Sequence, residues 1–484
     1  MNRSKTPSFI LTLKLNTSAS DEYKLAKRFY RGRKIYNALV RHLRKSLASM
    51  RQDRQYKDLL KLYISDKSSK EIKQKLSDLR EAYGLSEFSL HEYVKKLQDR
   101  YAKDIDSLSA QKIASQAWRS ARAVIFGNGK IIHFCKLNDF SSIEGKNNAS
   151  GMRFKGGKLN WNGIVVQPHI KKNDAYARKA LLHRVKYCRV MRKISGDRYG
   201  WYLQLILEGT PPIKHQAGNG RGGIDIGTST LAVVTKGGCT LKVLANEAED
   251  IERKKAVILR KIDRSRRSMN PDNYNKDGTV KKGKKHWVKS NTYKKTERRY
   301  KKLCAKRAAV VKQSHEKEAN RLVSQANIFY VESMNFKALS KRAAKTVYDS
   351  KGKAKQKSRF GKSIGNRAPA MFLEILERKL KLFGGELIKI NTVKFKASQY
   401  DHIANRYKKK KLSQRWANVG SGVIQRDLYS AFLLMNSNEE GTSADRMRCI
   451  KTYRNFKKQH DALIIDLENS KQYLPQSFGI KKAI

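Results

Sequence analysis

Acidic residues are scarce in this chain: 42 Asp and Glu stand against 106 Lys and Arg in 484 residues. Cysteine is scarcer. The five cysteines, at 135, 188, 239, 304 and 449, lie too far apart for a metal hairpin or a Cys-x-x-Cys pair. That spacing excludes a zinc ribbon and a dithiol redox motif, and leaves isolated core thiols in a reducing compartment. No apolar run approaches the ~18–20 residues needed to span a bilayer. Residues 1–15 lack the apolar core of a secretory signal. Neither a membrane protein nor a secreted one is expected, and no internal repeat is visible.

What is present is positive charge. The formal net charge is +64, yet 39% of the residues are hydrophobic, enough to build real cores. A disordered basic tail is therefore excluded. Self-repulsion on this scale calls for a polyanionic partner. Nucleic acid is favoured over an acidic membrane or an acidic protein, because the charge runs along the whole chain and is interleaved with aromatics.

The length predicts more than one domain. Residues 21–50, 69–100 and 107–124 carry helical periodicity, with Leu76, Leu79 and Tyr83 on one stripe. Between 131 and 208 the texture changes to strand, at 131–134, 163–167, 182–190 and 199–207. A Gly- and Pro-rich stretch over 209–223 reads as a linker. Beyond it, 222–245 predicts a three-strand meander, and 247–325 a very basic helical stretch interrupted at 270–284. Short strands follow at 327–331 and 387–395, with helices over 368–383 and 426–435 and an appended helix in the tail after 446. The order βββ–α–β–α–β–α matches a ribonuclease H-like fold, a mixed sheet with helices on both faces.

Three acids stand out from the basic background. Asp225 lies between Ile224 and Ile226 in an apolar strand, Glu332 ends the strand Ile-Phe-Tyr-Val-Glu, and Asp427 opens an apolar helix after Gln425-Arg426. An acid in or beside a buried strand is costly unless it is paired, protonated or metal-bound. Three converging carboxylates offer an all-oxygen site for two Mg²⁺ ions, the arrangement that serves phosphodiester cleavage. Each acid also has an ordinary reading. Ile-Asp-Ile-Gly-Thr opens the phosphate hairpin of actin-like kinases, but the second Asp-x-Gly-Gly-Ser/Thr loop of that fold is missing. Glu332 could cap a following helix, and Asp427 could be a plain N-cap.

At these residues the sequence resembles the TnpB nucleases and their descendants, the compact type V CRISPR effectors. The matching stretches are Gly223–Val234, Ser265–Asn275, Tyr330–Leu339, Asn366–Met371 and Ile424–Leu434. The resemblance implies a multidomain α+β protein. Residues 1–20 and 129–214 would form a β-barrel-like wedge domain, with a helical recognition lobe inserted over 21–128. Residues 215–484 would form a RuvC-like nuclease domain with a basic helical insert (247–325) and a lid-like loop (341–365). It further implies catalytic and Mg²⁺-binding roles for Asp225, Glu332 and Asp427, a near-permanent guide RNA, a double-stranded DNA target next to a short recognised motif, and a cytoplasmic, nucleoid-associated prokaryotic setting. Oligomeric state stays open. A guided DNA-binding regulator without cleavage is the alternative.

One departure is plain. Where many relatives carry a zinc ribbon, residues 396–422 hold no cysteine, so no zinc is expected. That loop instead offers Lys408, Lys409, Lys410 and Lys411 with Arg415 and Trp416 as contacts to single-stranded nucleic acid. Further candidate contacts are Lys27, Arg28, Tyr30, Arg31 and Arg33 on the first helix, and Arg264, Arg266 and Arg267 in the basic insert. Each set also reads as an ordinary solvated face. His315 is expected to be a packing residue, as are Trp161 and Trp201, and His402 is not expected to serve as a lone metal ligand.

Overall fold

The computed structural model describes residues 6–195, 198–213, 216–341, 350, 360–411, 413–420, 422–470 and 474–480. The chain divides into two compact units, residues 1–214 and 215–484. Among the described residues no helix is long and apolar enough to cross a membrane.

In the first unit, strand Ser8–Leu15 alternates strictly, burying Phe9, Leu11, Leu13 and Leu15. It pairs antiparallel with Arg198–Glu208, which pairs with Val185–Ser195, in a five-stranded sheet completed by Ser142–Glu144 and Pro168–His169. A three-stranded sheet covers 153–166. The 34-residue helix Ala19–Gln52 starts at a capping box between Ser18 and Asp21. Its apolar stripe, Leu25, Phe29, Ile35, Leu39 and Leu43, is fully buried. Phe29 meets Trp201 edge-on at 5.1 Å, so helix and sheet share one core. Helices Lys70–Ala82, Glu87–Asp99 and Ser107–Ile125 follow the predicted periodicity. Helix Arg54–Ser65 escaped the sequence reading, with one buried residue, Leu59. The strand expected at 131–134 does not form: only Ile132 of Ile131–Phe134 is buried, and the segment makes no ladder.

The second unit is built on a mixed sheet of β1 (Arg221–Ile226), β2 (Thr230–Thr235), β3 (Gly238–Val243), β4 (Ile328–Glu332) and β5 (Glu386–Ile390). The strand order is β3-β2-β1-β4-β5; β1, β2 and β3 form the antiparallel meander, and β4 runs parallel to both β1 and β5. The linker expected over 209–223 thus gives its last residues to β1. Helices α1 (Glu249–Ser268) and α2 (Asn291–Val323) form the basic insert, packed on each other. Helix α3 (Pro369–Leu382) buries Phe372, Ile375, Leu376 and Leu380. The strand expected to reach 395 stops at Ile390, because the Asn391 side chain accepts from Val393 N–H and turns the chain into a short helix. Hairpin β6 (Trp416–Val419) and β7 (Gly422–Gln425) leads into α4 (Arg426–Met435), and α5 (Arg446–Glu468) closes the fold.

The period-2 rule sorts the sheet's residues between two cores. Ile224, Ile226, Leu231, Val233, Phe329 and Val331 face α2 and α3. Ala232, Val234 and Tyr330 face α4 and α5. Residues 342–349 and 351–359 of the lid-like loop lie outside the described residues. The described end of that segment is not a loop: Gly361–Arg367 is a helix, and Arg367 pairs with Glu249 while donating to the carbonyls of Leu244 and Ala245.

Candidate active site

Alternation places Asp225 on the sheet face opposite Ile224 and Ile226, the face covered by α4. Glu332 alternates with Val331 and falls on the same side as Tyr330. The parallel register pairs Ile224 with Val331, so Asp225 and Glu332 are next to each other across β1 and β4. Asp427 reaches this pair from above. A Cβ on Gly223 would sit 1.8 Å from the Ala431 carbonyl oxygen, so α4 lies directly on bare strand backbone. One turn back from Ala431 is Asp427, and two residues on from Gly223 is Asp225. Both steps measure about 6 Å.

The ordinary readings of two acids fall away here. Glu332 caps no helix, because the helix Phe336–Ser340 is capped by the Asn335 side chain. Asp427 is not an N-cap: Gln425 is, its side-chain oxygen accepting from Leu428 N–H at 2.8 Å.

Electrostatics tie the three together. Asp225 keeps some solvent access, yet its carboxyl is held protonated well above the usual carboxylate range, first by burial, then by Asp427 and Glu332. Arg426 opposes that shift. Burial also raises Glu332. A knot of acids that repel one another with one nearby guanidinium is the field a divalent cation would relieve. The donor set is all oxygen, which suits a hard cation such as Mg²⁺. As built, the carboxylates do not converge on one point: among the described residues no three His, Cys, Asp or Glu stand close enough to share an ion. Asp427 is turned toward its neighbour, with Arg426 Nε and Nη2 both 3.3 Å from Oδ1.

The expected nucleic-acid contacts divide sharply. Lys27, Tyr30, Arg264, Lys408, Lys409 and Lys411 are exposed. Arg28 is not available. It is 3% exposed, donates to the carbonyls of Asp104 and Asn162, and lies over the Trp161 ring. Burial pushes its pKa down to about 10. Arg31 pairs with Asp104 at 2.6 Å. Arg33 packs on the Tyr30 ring, as does Lys34. Arg266 and Arg267 both pair with Asp263. Lys410 is half-buried over Tyr429. Trp416 donates its indole N–H to the Gly479 carbonyl at 2.7 Å and Arg415 packs beside Gly479, so both serve the fold of the second unit. The cysteine-free stretch is built as hairpins, 400–407 and β6–β7. His402 is fully buried against the Tyr429 hydroxyl, and His315 against the Arg367 carbonyl. Gln425 and Arg426 were the residues missed; their signal was the polar pair directly before Asp427.

No protein-family model and no curated protein matches this chain. Over most of its length it is similar to solved Cas12f structures. One is a Cas12f1 solved by cryo-EM with sgRNA and target DNA, 11% identical, with 88% of this chain and 98% of that chain covered and a TM-score of 0.48. Another is a CRISPR-Cas12f ternary complex, 14% identical, with 87% and 86% covered and a TM-score of 0.26. These are compact type V CRISPR effectors, the group the sequence motifs resemble. Likeness at these scores is too low to assign an activity, so function is read from the carboxylates and their surroundings.

Proposed function

We propose that this chain is an RNA-guided, Mg²⁺-dependent DNA endonuclease with one ribonuclease H-like (RuvC-like) active site. The observation that carries the reading is that Asp225 and Glu332 stand side by side on the sheet face covered by α4, which bears Asp427, with Asp225 sensing both other carboxylates. Asp225 and Asp427 would be shared cation ligands and Glu332 would complete the set. When bound, the cations supply Lewis acidity, activating a water and stabilising the leaving oxygen of the phosphodiester. The chain's part is to hold three oxygen donors at the carboxyl ends of the interior strands β1 and β4, with Gly223 bringing α4 down to backbone contact. Arg426 neutralises Asp427 when no cation is present, so cation and guanidinium compete for that carboxylate.

The +64 charge supports a guide RNA and a DNA target as partners. Exposed Lys27 and Tyr30, and Lys408, Lys409 and Lys411, are the side chains proposed to touch them. Sequence would be read by base pairing, and a short motif beside the target by the first unit.

The test is cleavage of a plasmid carrying a guide-matched target, in Mg²⁺ and in EDTA. Wild type is expected to cut only with Mg²⁺. Asp225→Ala is expected to bind the target as wild type does and to leave it intact. Cutting by Asp225→Ala would sink the assignment. Binding without cutting by wild type would select the guided regulator instead.

A further inference from the structure

We infer that Gln425 is a positioning residue for the Asp427 carboxylate, and that α5 and the C-terminal segment 474–480 hold Gln425 in place. This rests on the reading of Asp427 as a cation ligand. Gln425 is fully buried, and its backbone N–H and its side-chain oxygen and amide all have partners around this corner of the fold. Its backbone N–H donates to His460 Nε2 at 3.0 Å. Its side-chain oxygen caps α4 at Leu428 N–H. Its side-chain amide faces two acceptors, Asp427 Oδ2 and the Phe478 carbonyl, each at 3.4 Å.

The chemistry of the cap is informative. Ser, Thr, Asp and Asn are the usual N-cap residues, and each can accept the helix N–H. Glutamine adds two N–H donors on a longer arm. One faces the carboxylate two residues on, the other a carbonyl of the C-terminal segment. No serine or aspartate cap could do both.

The support behind Gln425 is equally specific. His460 accepts from Gln425 N–H at Nε2, so its proton must lie on Nδ1, which faces Asp461 Oδ1 at 2.9 Å. Asp461 is in turn paired with Lys457. On the other side, Phe478 is buried and the Gly479 carbonyl accepts from Trp416. Gly479 has φ +69°, and a Cβ there would stand 2.4 Å from Arg415 Cβ, so only glycine lets the segment lie this close. Arg426 approaches Asp427 at Oδ1 and Gln425 at Oδ2, so the two residues bracket the carboxylate from both oxygens. Partners of this kind fix the aim of a ligand without touching the ion.

The test uses the full chain purified free of nucleic acid, with Mn²⁺ as probe and free Mn²⁺ read by electron paramagnetic resonance. Gln425→Ser keeps a good helix cap and removes both amide donors. Gly479→Ala disturbs the brace from a distance. Both are expected to weaken Mn²⁺ binding about 10-fold or more, the usual cost of losing a partner of a metal ligand. The thermal midpoint of Gln425→Ser without metal should fall, because the Phe478 carbonyl loses its donor, so Mn²⁺ binding is read well below that midpoint. Unchanged Mn²⁺ affinity in Gln425→Ser would overturn the positioning role. Unchanged affinity in Gly479→Ala alone would remove the C-terminal segment from it. Asp427→Asn separates the two levels: if it too binds Mn²⁺ as wild type does, the cation-site reading itself fails.

Discussion

Arg426 and Asp427 are neighbours in the chain and partners in space, and that pairing governs how the site behaves without metal. Arg426→Ala should leave Asp427 free to repel Asp225 and Glu332. The metal-free protein should then melt lower, while Mn²⁺ binding, no longer opposed by the guanidinium, should tighten. A calorimetric titration of both forms checks this. Asp225 gives a pH prediction. Burial, then Asp427 and Glu332, raise its folded-state pKa above its unfolded value. The folded state therefore holds the proton longer, and stability is lost as pH rises from ~3.9 through the raised value. Asp225→Asn removes that loss. The metal-free variant should be more stable than wild type at pH 7, by roughly 2–4 °C for each kcal/mol of relieved repulsion. The difference should vanish near pH 4 (~3.9 is the unperturbed value). A melting series over pH 4–8 in EDTA measures it. At this scale the sequence was readable where a residue type was out of place. An acid between two isoleucines advertises itself; an arginine in a basic helix does not. Arg28 looked like its neighbours until burial set it apart.

At the scale of elements, β1 and α4 decide the geometry. Gly223 has no side chain because Ala431 and Met435 backbone atoms occupy its place. Gly223→Ala should push α4 off the strand and destabilise the second unit by on the order of 3 kcal/mol, as overpacked cores do. Urea unfolding of wild type and variant reads the difference, and the same shift should move Asp427 away from Asp225 and weaken Mn²⁺ binding. Most elements of this unit were legible from periodicity and punctuation. Pro369 and Gly384–Gly385 bound α3, and alternating Ile, Asp, Ile marked β1. The failures share a cause. At 131–134 and 391–395 β-branched and aromatic residues suggested strands, but a strand needs a partner edge, and that is tertiary information. Asn391 carried the one local clue, as a residue that caps helices with its own side chain.

For the whole molecule, charge is the dominant fact. With +64 to neutralise, RNA binding by the full chain should weaken by roughly 10³-fold or more between 50 and 200 mM salt. Fluorescence anisotropy at a series of salt concentrations tests this, and a change under tenfold would mean the excess is spent elsewhere. Composition points to a polyanionic partner, but not to which lysines face solvent, because burial and ion pairing with a handful of acids sort them.

The parallel pairing of β1 with β4 has one more consequence. Asp225, Glu332 and Asp427 follow one another at intervals of about a hundred residues, and closing such loops costs entropy before any contact repays it. The meander and the α1–α2 hairpin are local and can form early. The acidic site is non-local at every member, so it should appear only with the last, slowest step of folding. A partly folded chain would carry the basic surface without yet owning the assembled carboxylate site.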